Sequence, residues 1–200
     1  MDTRNAIFGH TVSYNGHMTE LALLAQQVGV SERTLRRAVN QGSLRARRLT
    51  PRTLDLPLSE RQYVRRSWQL VAALRSALRT EPNVRFALLF GSAAEGTDIA
   101  TSDVDVLVAL GDPSIDRVVD LSDRLTAAVG RSVDVVRLGD AEEDPAFLAD
   151  VLDRGRVLAD RDELWSRLQS RGATLRRRIR DQEARRVDAA LAGIDRLLGS

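Results

Sequence analysis

The sequence predicts an α/β (α+β) protein in which helices flank a small mixed sheet, with a small helical domain in front of it. Three short apolar runs, at 84–90, 103–110 and 132–138, are typical of buried strands. Longer amphipathic segments at helical spacing flank these runs. The segment before residue 59 contains two short helical patterns, which separates it from the sheet region.

Composition limits the chemistry that the chain can carry out. The 200 residues are 43% hydrophobic but only 4% aromatic, so the core must consist mainly of Leu, Val and Ala. The chain contains neither Cys nor Lys, and its two histidines are His10 and His17. Disulfides, a thiol nucleophile, a Cys-type zinc site and a lysine base are therefore excluded. Catalysis elsewhere must depend on carboxylates, hydroxyls and arginines.

The formal net charge of +2 hides a strong segregation along the chain. Residues 1–80 carry 13 Arg against 5 acidic residues, and residues 161–200 carry 10 against 6. Residues 81–160 carry 7 Arg against 17 acidic residues. A basic N-terminal part suggests a polyanionic partner. An acidic middle suggests a metal site or a basic partner.

The N-terminal 58 residues divide into an arm and a helical unit. Residues 1–17 show no period and are expected to form a flexible arm, and 18–58 a helix-turn-helix domain with its linker. Thr19 can cap a helix at 20–28, and Ser31 a second helix at 32–40. We expect a short extended piece at 44–49. The proline-containing segment that follows it predicts a linker.

The remaining elements follow from periodicity and turn residues. Ser59 and Gln62 have capping-box spacing and predict a connecting helix over 59–80. The core at 81–160 then holds the three strands, a helix at 114–129, a helix at 145–154 and a short edge strand at Val157–Leu158. The C-terminal region, 161–200, is predicted to be helical from 162 to 198, with a possible interruption at Gly172.

The most informative pattern is a pair of aspartates at the start of a buried strand. Asp103 and Asp105 are two residues apart, so their side chains point to the same face of the strand. Two adjacent carboxylates repel each other unless a cation lies between them. Oxygen ligands suit Mg²⁺ or Mn²⁺. The pair therefore predicts a metal site.

A phosphate-binding turn is predicted just before this pair. Gly91 and Ser92 end the preceding strand, where glycine allows close approach to a nucleotide and Ser92 can donate to phosphate oxygen. Gly96 allows the chain to turn back, and Ser102 completes the predicted nucleotide-binding set. Together with the carboxylates, this is a triphosphate cradle beside a metal site, as phosphoryl or nucleotidyl transfer requires.

Asp134 is the best candidate for a third carboxylate. It lies in an otherwise apolar strand, where a buried carboxylate would be costly without a cation. A structural salt bridge with Arg85 or Arg137 is the alternative. For Asp103 and Asp105, the alternatives are an ordinary surface turn or a domain that binds nucleotide without turnover.

The stretch GSAAEGTDIATSDVD resembles the signature of the nucleotidyltransferase superfamily, Gly-Ser, ten residues, Asp-x-Asp. It is similar in particular to the polymerase-β-like minimal nucleotidyltransferases of toxin–antitoxin pairs. The resemblance implies that Gly91 and Ser92 bind the triphosphate and that Asp103 and Asp105 bind two Mg²⁺ ions. It further implies that Asp134 binds one ion and helps to deprotonate the nucleophile, with ATP as nucleotide.

The N-terminal stretch AQQVGVSERTLRRAVNQGSLRARR resembles the DNA-binding part of small bacterial regulators. The resemblance implies that the second helix enters the major groove and that later arginines contact phosphates. The alternative is a helical domain whose arginines are solvated or pack on the acidic core. The predicted DNA-binding residues are Ser31, Arg33, Thr34, Arg37, Arg45, Arg47 and Arg48.

Three functions are compatible with these features. In the family that the motif resembles, the enzyme transfers AMP to a tyrosine of a HEPN-type toxin, and DNA binding would add autorepression. An aminoglycoside nucleotidyltransferase shares the motif, but the basic C-terminal region argues against a cationic substrate. The third is a regulator that only senses nucleotide. We expect a cytoplasmic protein with no membrane association, and apolar stripes on its long helices that could support a homo-oligomer.

Overall fold

The computed structural model describes residues 19–50 and 53–198, so the predicted arm at 1–17, with His10 and His17, lies outside the described residues. Two short helices come first and are followed by a two-stranded antiparallel ribbon and a long helix. Among all the described residues, no helix is both long and apolar enough to cross a bilayer. These elements are α1 (Glu20–Gln27), α2 (Glu32–Asn40), β1 (Arg47–Arg48), β2 (Leu54–Asp55) and α3 (Leu58–Arg79).

The rest of the described chain alternates strands and helices and ends in a long helix. In chain order its elements are β3 (Val84–Phe90), α4 (Gly91–Glu95), β4 (Val104–Leu110), α5 (Ile115–Val129), β5 (Val133–Arg137), α6 (Leu138–Ala141), α7 (Pro145–Arg154), β6 (Arg156–Asp160) and α8 (Leu164–Leu198).

Four of the strands form one mixed sheet in the order β5-β4-β3-β6. β3 is antiparallel to both β4 and β6, whereas β4 and β5 are parallel and are joined through α5. A parallel pair needs such a crossover, because the chain must return to the same end of the sheet. The predicted α/β fold with a small mixed sheet and flanking helices is confirmed.

Alternation along the strands divides the core between the two faces of the sheet. Ala87 and Leu89 pack with α3 and α5 on one face, and the cluster on that face also includes buried residues of α1 and α2. Phe86 and Leu88 pack with α7 and the start of α8 on the other face. The period of two in a strand produces this division.

The predicted connecting helix is α3, and it begins one residue before the predicted capping box. Pro57 is its N-cap, its carbonyl accepts from the N–H of Arg61 at 3.0 Å, and Ser59 does not cap. The side chains of Val64, Val71 and Leu74 are fully buried against the sheet. This helix therefore contributes to the core of the sheet region. The C-terminal helix that was predicted over 162–198 is α8, which begins at Leu164 and continues through Gly172 without interruption.

A buried ion pair joins the N-terminal segment to the sheet. Arg156, at the start of β6, donates to the two carboxylate oxygens of Glu60 in α3 at 2.6 and 3.0 Å. Both side chains are at most 5% exposed. The guanidinium of Arg156 also lies 3.4 Å from the ring centroid of Tyr63, in a cation–π contact. Glu60 accepts the backbone N–H of Arg45 at 2.9 Å, so the pair also holds the segment after α2.

Candidate active site

The turn between β3 and α4 requires glycine for two reasons. Gly91 has a φ of +66°, in the left-handed region that side chains disfavour. A Cβ at this position would also collide with Oδ2 of Asp105 on the neighbouring strand. The turn and the carboxylate are therefore in direct proximity, as the predicted phosphate cradle beside a metal site requires.

Ser92 and Gly96 shape the short helix that follows. The carbonyl of Ser92 accepts from the N–H of Thr97 at 3.0 Å, and the half-buried Ser92 hydroxyl has no hydrogen bond among the described residues. Gly96 ends α4 with a φ of +76°, and a Cβ there would lie 2.9 Å from Cδ2 of Tyr63. Gly96 therefore allows the loop to pack on α3, and the Ser92 hydroxyl is available to a ligand.

Asp105 and Asp134 are partners in the parallel pairing of β4 and β5. Residues in register on neighbouring strands point to the same face, here the face of Phe90 and Leu107. Burial raises the pKa of the half-buried Asp105 carboxyl above its usual value. The negative charge of Asp134, and then that of Asp103, raises this pKa further. The three carboxylates therefore interact electrostatically.

Asp103 lies immediately before β4, which begins at Val104 and not at the predicted residue 103. The Asp103 side chain is exposed, at the end of the loop that returns from Gly96. Its effect on the pKa of Asp105 indicates that the two carboxylates are near each other, as predicted from their spacing.

Asp134 was predicted as the third carboxylate because it was expected to be buried, and this reason was wrong. Its position beside Asp105 nevertheless supports the prediction. Asp134 is exposed in β5, so burial does not require a cation there. The salt-bridge alternative is not observed either. In the part of the chain that the structure describes, Arg85 pairs with Asp162 and Arg137 with Asp140, which leaves Asp134 unpaired.

The carboxylates meet the chemical requirements of a divalent metal site. They provide only oxygen ligands, which Mg²⁺ and Mn²⁺ prefer, and Asp105 already experiences repulsion that a cation would relieve. Their oxygens do not converge on one point. Among residues 19–50 and 53–198, no three Asp, Glu or His side chains lie close enough to enclose an ion.

A second ion pair, not predicted from the sequence, holds the loop between the two motifs. Arg131 donates to Oδ2 of the buried Asp98 at 2.7 Å and to the carbonyl of Ser102 at 2.6 and 3.1 Å. Arg66 of α3 donates to the carbonyl of Asp98. The hydroxyl of Ser102 accepts from the N–H of Ile99 at 3.0 Å, so Ser102 stabilises the loop in which it lies.

Arg156 also stabilises the phosphate turn, since its Nε donates to the carbonyl of Ala94 in α4 at 2.6 Å. Arg156 was not identified from the sequence as a residue that stabilises the site, because its partners are far away in the sequence. Ala94 is 62 residues from it and Glu60 is 96 residues from it. A charged residue at the start of a short apolar strand was the available signal. Asp98 and Arg131 gave no comparable signal.

The predicted DNA-binding residues fall into two groups. Ser31 caps α2 by accepting the Thr34 N–H at 3.1 Å, and Arg33, Thr34 and Arg37 are exposed along one side of that helix. The remaining three lie between α2 and α3 and are exposed, and two of them have hydrogen-bond partners within the chain. Arg45 donates to the carbonyl of Arg154, and Arg48 donates to Oδ1 of Asn40 at 2.9 Å.

The fold agrees with a comparison to known families. Residues 73–164 match the family model described as "Polymerase beta, Nucleotidyltransferase". This part of the chain is therefore similar to the polymerase-β-like nucleotidyltransferases, which agrees with the resemblance of the motif. No curated protein matches the chain.

Several solved structures are similar to part of the chain. One is a toxin–antitoxin structure with AMP-PNP, at 21% identity and a TM-score of 0.48, covering 60% of this chain and 98% of the other. Another is a tri-AMPylated HEPN toxin from Shewanella oneidensis in complex with MNT antitoxin. Its sequence identity is 18% and its TM-score 0.45, and the match covers 62% of this chain and 98% of the other. A third is a putative nucleotidyltransferase from Sulfolobus solfataricus. Its sequence identity is 17% and its TM-score 0.34, and the match covers 50% of this chain and 86% of the other.

Proposed function

We propose that this protein transfers AMP from ATP to a tyrosine hydroxyl of a cognate HEPN-type toxin and thereby acts as an antitoxin. The observation that carries the catalytic part is the contact between the Gly91 turn and Asp105, with Asp134 in register beside it. In this arrangement the turn that we assign to the triphosphate lies next to two of the carboxylates that we assign to the metal site.

The residues support a nucleophilic displacement at the α-phosphorus of ATP. The acceptor hydroxyl oxygen forms a bond to this phosphorus, the bond to the β-phosphate bridging oxygen breaks, and pyrophosphate leaves. We assign acceptance of the hydroxyl proton to Asp134, and its exposure and lack of an ion pair among the described residues support this assignment. Backbone N–H groups after Gly91 and the Ser92 hydroxyl orient the triphosphate.

Asp103 and Asp105 would hold divalent ions, which neutralise charge on the phosphates and stabilise the leaving pyrophosphate. Mg²⁺ fits the oxygen-only ligand set, and Mn²⁺ is the natural substitute. The half-buried position of Asp105 favours this role, because a carboxylate whose pKa is raised by its neighbours gains most from a bound cation.

The protein acceptor is supported by the resemblance of the motif to minimal nucleotidyltransferases of toxin–antitoxin pairs. The described part of α8 is rich in arginine, which disfavours a cationic drug as acceptor. The test is to incubate the purified protein, ATP and Mg²⁺ with the HEPN-type protein encoded beside it and to record the intact mass. We expect additions in multiples of one AMP, absent with Asp105→Asn.

Two other outcomes would contradict this proposal. Adenylylation of an aminoglycoside, with no change in the mass of the toxin, would identify a drug-modifying enzyme. Binding of ATP with no pyrophosphate release in the presence of either acceptor would identify a nucleotide sensor. Autorepression through α1 and α2 stays a prediction, which gel-shift titration with the upstream DNA at several salt concentrations would test.

A further inference from the structure

A basic groove lies between α2, the C-terminal half of α3 and the end of β6. Its volume is about 670 Å³, within the range of small-molecule sites. No acidic side chain lines it. The five charged residues that line it are Arg33, Arg37, Arg75, Arg79 and Arg161.

None of these five arginines has a carboxylate partner among the described residues. Arg161 donates to the carbonyls of Leu78, Arg79 and Glu81 at the C-terminal end of α3, which compensates part of its charge. In a chain with 30 Arg and 28 acidic residues, the positive charge of the other four needs an explanation. Next to Arg161, Asp160 accepts the backbone N–H groups of Leu164 and Trp165. Three other acidic residues near the groove arginines in sequence pair with arginines outside the groove. These pairs are Glu32 with Arg36, Glu81 with Arg124, and Asp162 with Arg85.

The arginines repel one another, and part of the groove is preorganised. Burial lowers the pKa of Arg75, and the charges of Arg37 and Arg79 lower it further. The Arg75 guanidinium is held by two neutral acceptors, Ser43 and Gln41. Because no carboxylate neutralises this cluster, a multiply charged anion would relieve the repulsion, as a cation would at the aspartates.

The floor of the groove is apolar. Its accessible part is formed by Ala72 and Ala159, which are half-buried, and Trp68, Leu78 and Leu158 are buried behind them. A ligand with both a phosphate chain and a planar apolar part would therefore contact the arginines and the floor together. A nucleoside polyphosphate combines these two features.

The groove is distinct from the candidate active site. β6 pairs with β3 so that Arg156 lies opposite Leu89, near the Gly91 turn, and Asp160 lies opposite Phe86. Leu158 and Arg161, which lie toward the Asp160 end of β6, line the groove. At about 3.3 Å per residue, the two sites are separated by roughly 10 Å or more along the sheet.

We propose that this arginine groove is a second ligand site, which binds a nucleoside polyphosphate independently of the catalytic carboxylates. Duplex DNA is the competing occupant, since Ser31, Arg33, Thr34 and Arg37 were predicted to contact it. A recognition helix must project into the major groove of DNA. These four residues instead line a concave surface shared with α3 and β6, which favours a small ligand.

Isothermal titration of the full chain with ATP in EDTA tests the proposal, because chelation removes the divalent ions that the catalytic site requires. We expect one ATP per chain, displacement by tripolyphosphate, and the same affinity in Asp105→Asn. Arg37→Gln/Arg79→Gln should weaken binding by about tenfold or more, since each lost arginine removes a charge-assisted contact.

Arg177→Gln/Arg178→Gln is the matched control, because it removes two exposed arginines of α8 outside the groove. It should leave the affinity for ATP unchanged. The proposal is overturned by the absence of ATP binding in EDTA or by an equal loss in both double variants. It is also overturned if duplex DNA displaces ATP and binds more tightly, with the same dependence on Arg37 and Arg79.

Discussion

Asp105 and Asp134 lie directly opposite each other on the parallel strands β4 and β5, with their side chains on the same face of the sheet. The charge of Asp134 is the largest electrostatic contribution to the raised pKa of Asp105, exceeding that of Asp103. The cross-strand neighbour therefore matters more to Asp105 than the residue two positions before it. Because of this pairing the carboxylates of Asp105 and Asp134 repel each other, and a bound cation would relieve that repulsion.

Asp105→Asn should abolish nucleotidyl transfer while leaving the fold intact. The substitution removes a central carboxylate ligand, and loss of one preorganised electrostatic group lowers kcat by about 100-fold or more. The free energy of unfolding should not fall, because the carboxylate removed is one that its neighbours repel. Pyrophosphate release and urea denaturation measure the two effects. A marked loss of stability would show that Asp105 is needed for folding.

Asp105 should contribute a component to the stability of the metal-free protein that falls as the pH rises through its raised pKa. Because this pKa is higher in the folded state than in the unfolded chain, folding favours the protonated carboxyl. The contribution is present below the ordinary pKa of Asp and is lost as the carboxyl ionises above it. Thermal unfolding in EDTA across this range tests the sign, and Mg²⁺ should restore stability at neutral pH. Asp105→Asn should lose this component of the pH dependence.

Gly91→Ala should reduce both stability and activity. Alanine in the left-handed region costs about 1–2 kcal/mol, and its Cβ would also displace the Asp105 carboxylate. Gly130→Ala is the control, since Gly130 has a φ of +69° and open space around its Cβ position. This control should lose about 1–2 kcal/mol and remain active. Equal activity in the two variants would show that the contact with Asp105 is irrelevant to catalysis.

The parts of the fold that were predictable depend on short-range patterns. The apolar runs predicted β3, β4 and β5 to within two residues, because burial on both faces needs continuous apolar sequence. The same-face relation of Asp103 and Asp105 stays a prediction, because β4 begins at Val104 and Asp103 precedes it. Ser31 was predicted as a cap, and its hydroxyl does accept the Thr34 N–H. Each of these features is determined by residues close to one another in the chain.

The features that were missed depend on distant partners. Asp98 and Arg131 are 33 residues apart, and Glu60 and Arg156 are 96 apart. The register of β4 with β5, which places Asp134 beside Asp105, is likewise set by tertiary packing. For this reason Asp134 was selected on the wrong ground of burial, although the structure gives a different reason to select it.

Breaking the buried pair of Glu60 and Arg156 should destabilise the protein strongly. Glu60→Met or Arg156→Met leaves an uncompensated buried charge, which costs about 3–5 kcal/mol. The double variant Glu60→Met/Arg156→Met should lose much less than the sum, because no charge remains buried. Urea unfolding of the four proteins gives the coupling energy. Additive losses would mean that the pair does not act as a unit.

Arg131→Ala should impair catalysis although its side chain is not a predicted ligand. Arg131 holds the loop between Gly96 and Asp103 through the buried Asp98 carboxylate and the Ser102 carbonyl. Without these contacts Asp98 is left unpaired, which costs about 1–3 kcal/mol, and Asp103 loses its fixed position. Misplacement of a metal ligand by an ångström can lower rates by up to about 100-fold, so we expect kcat/KM to fall about tenfold or more.

Arg124→Ala separates this effect from the general loss of a surface arginine. Arg124 pairs with Glu81 at 2.7 Å but is 52% exposed, and such pairs contribute less than about 1 kcal/mol. Its removal should leave kcat/KM unchanged, and Asp98→Asn should reproduce part of the loss seen in Arg131→Ala. If Arg124→Ala and Arg131→Ala lower kcat/KM equally, the anchored loop does not position Asp103. If only Arg131→Ala does so, the pair with Asp98 connects the loop to the candidate metal site.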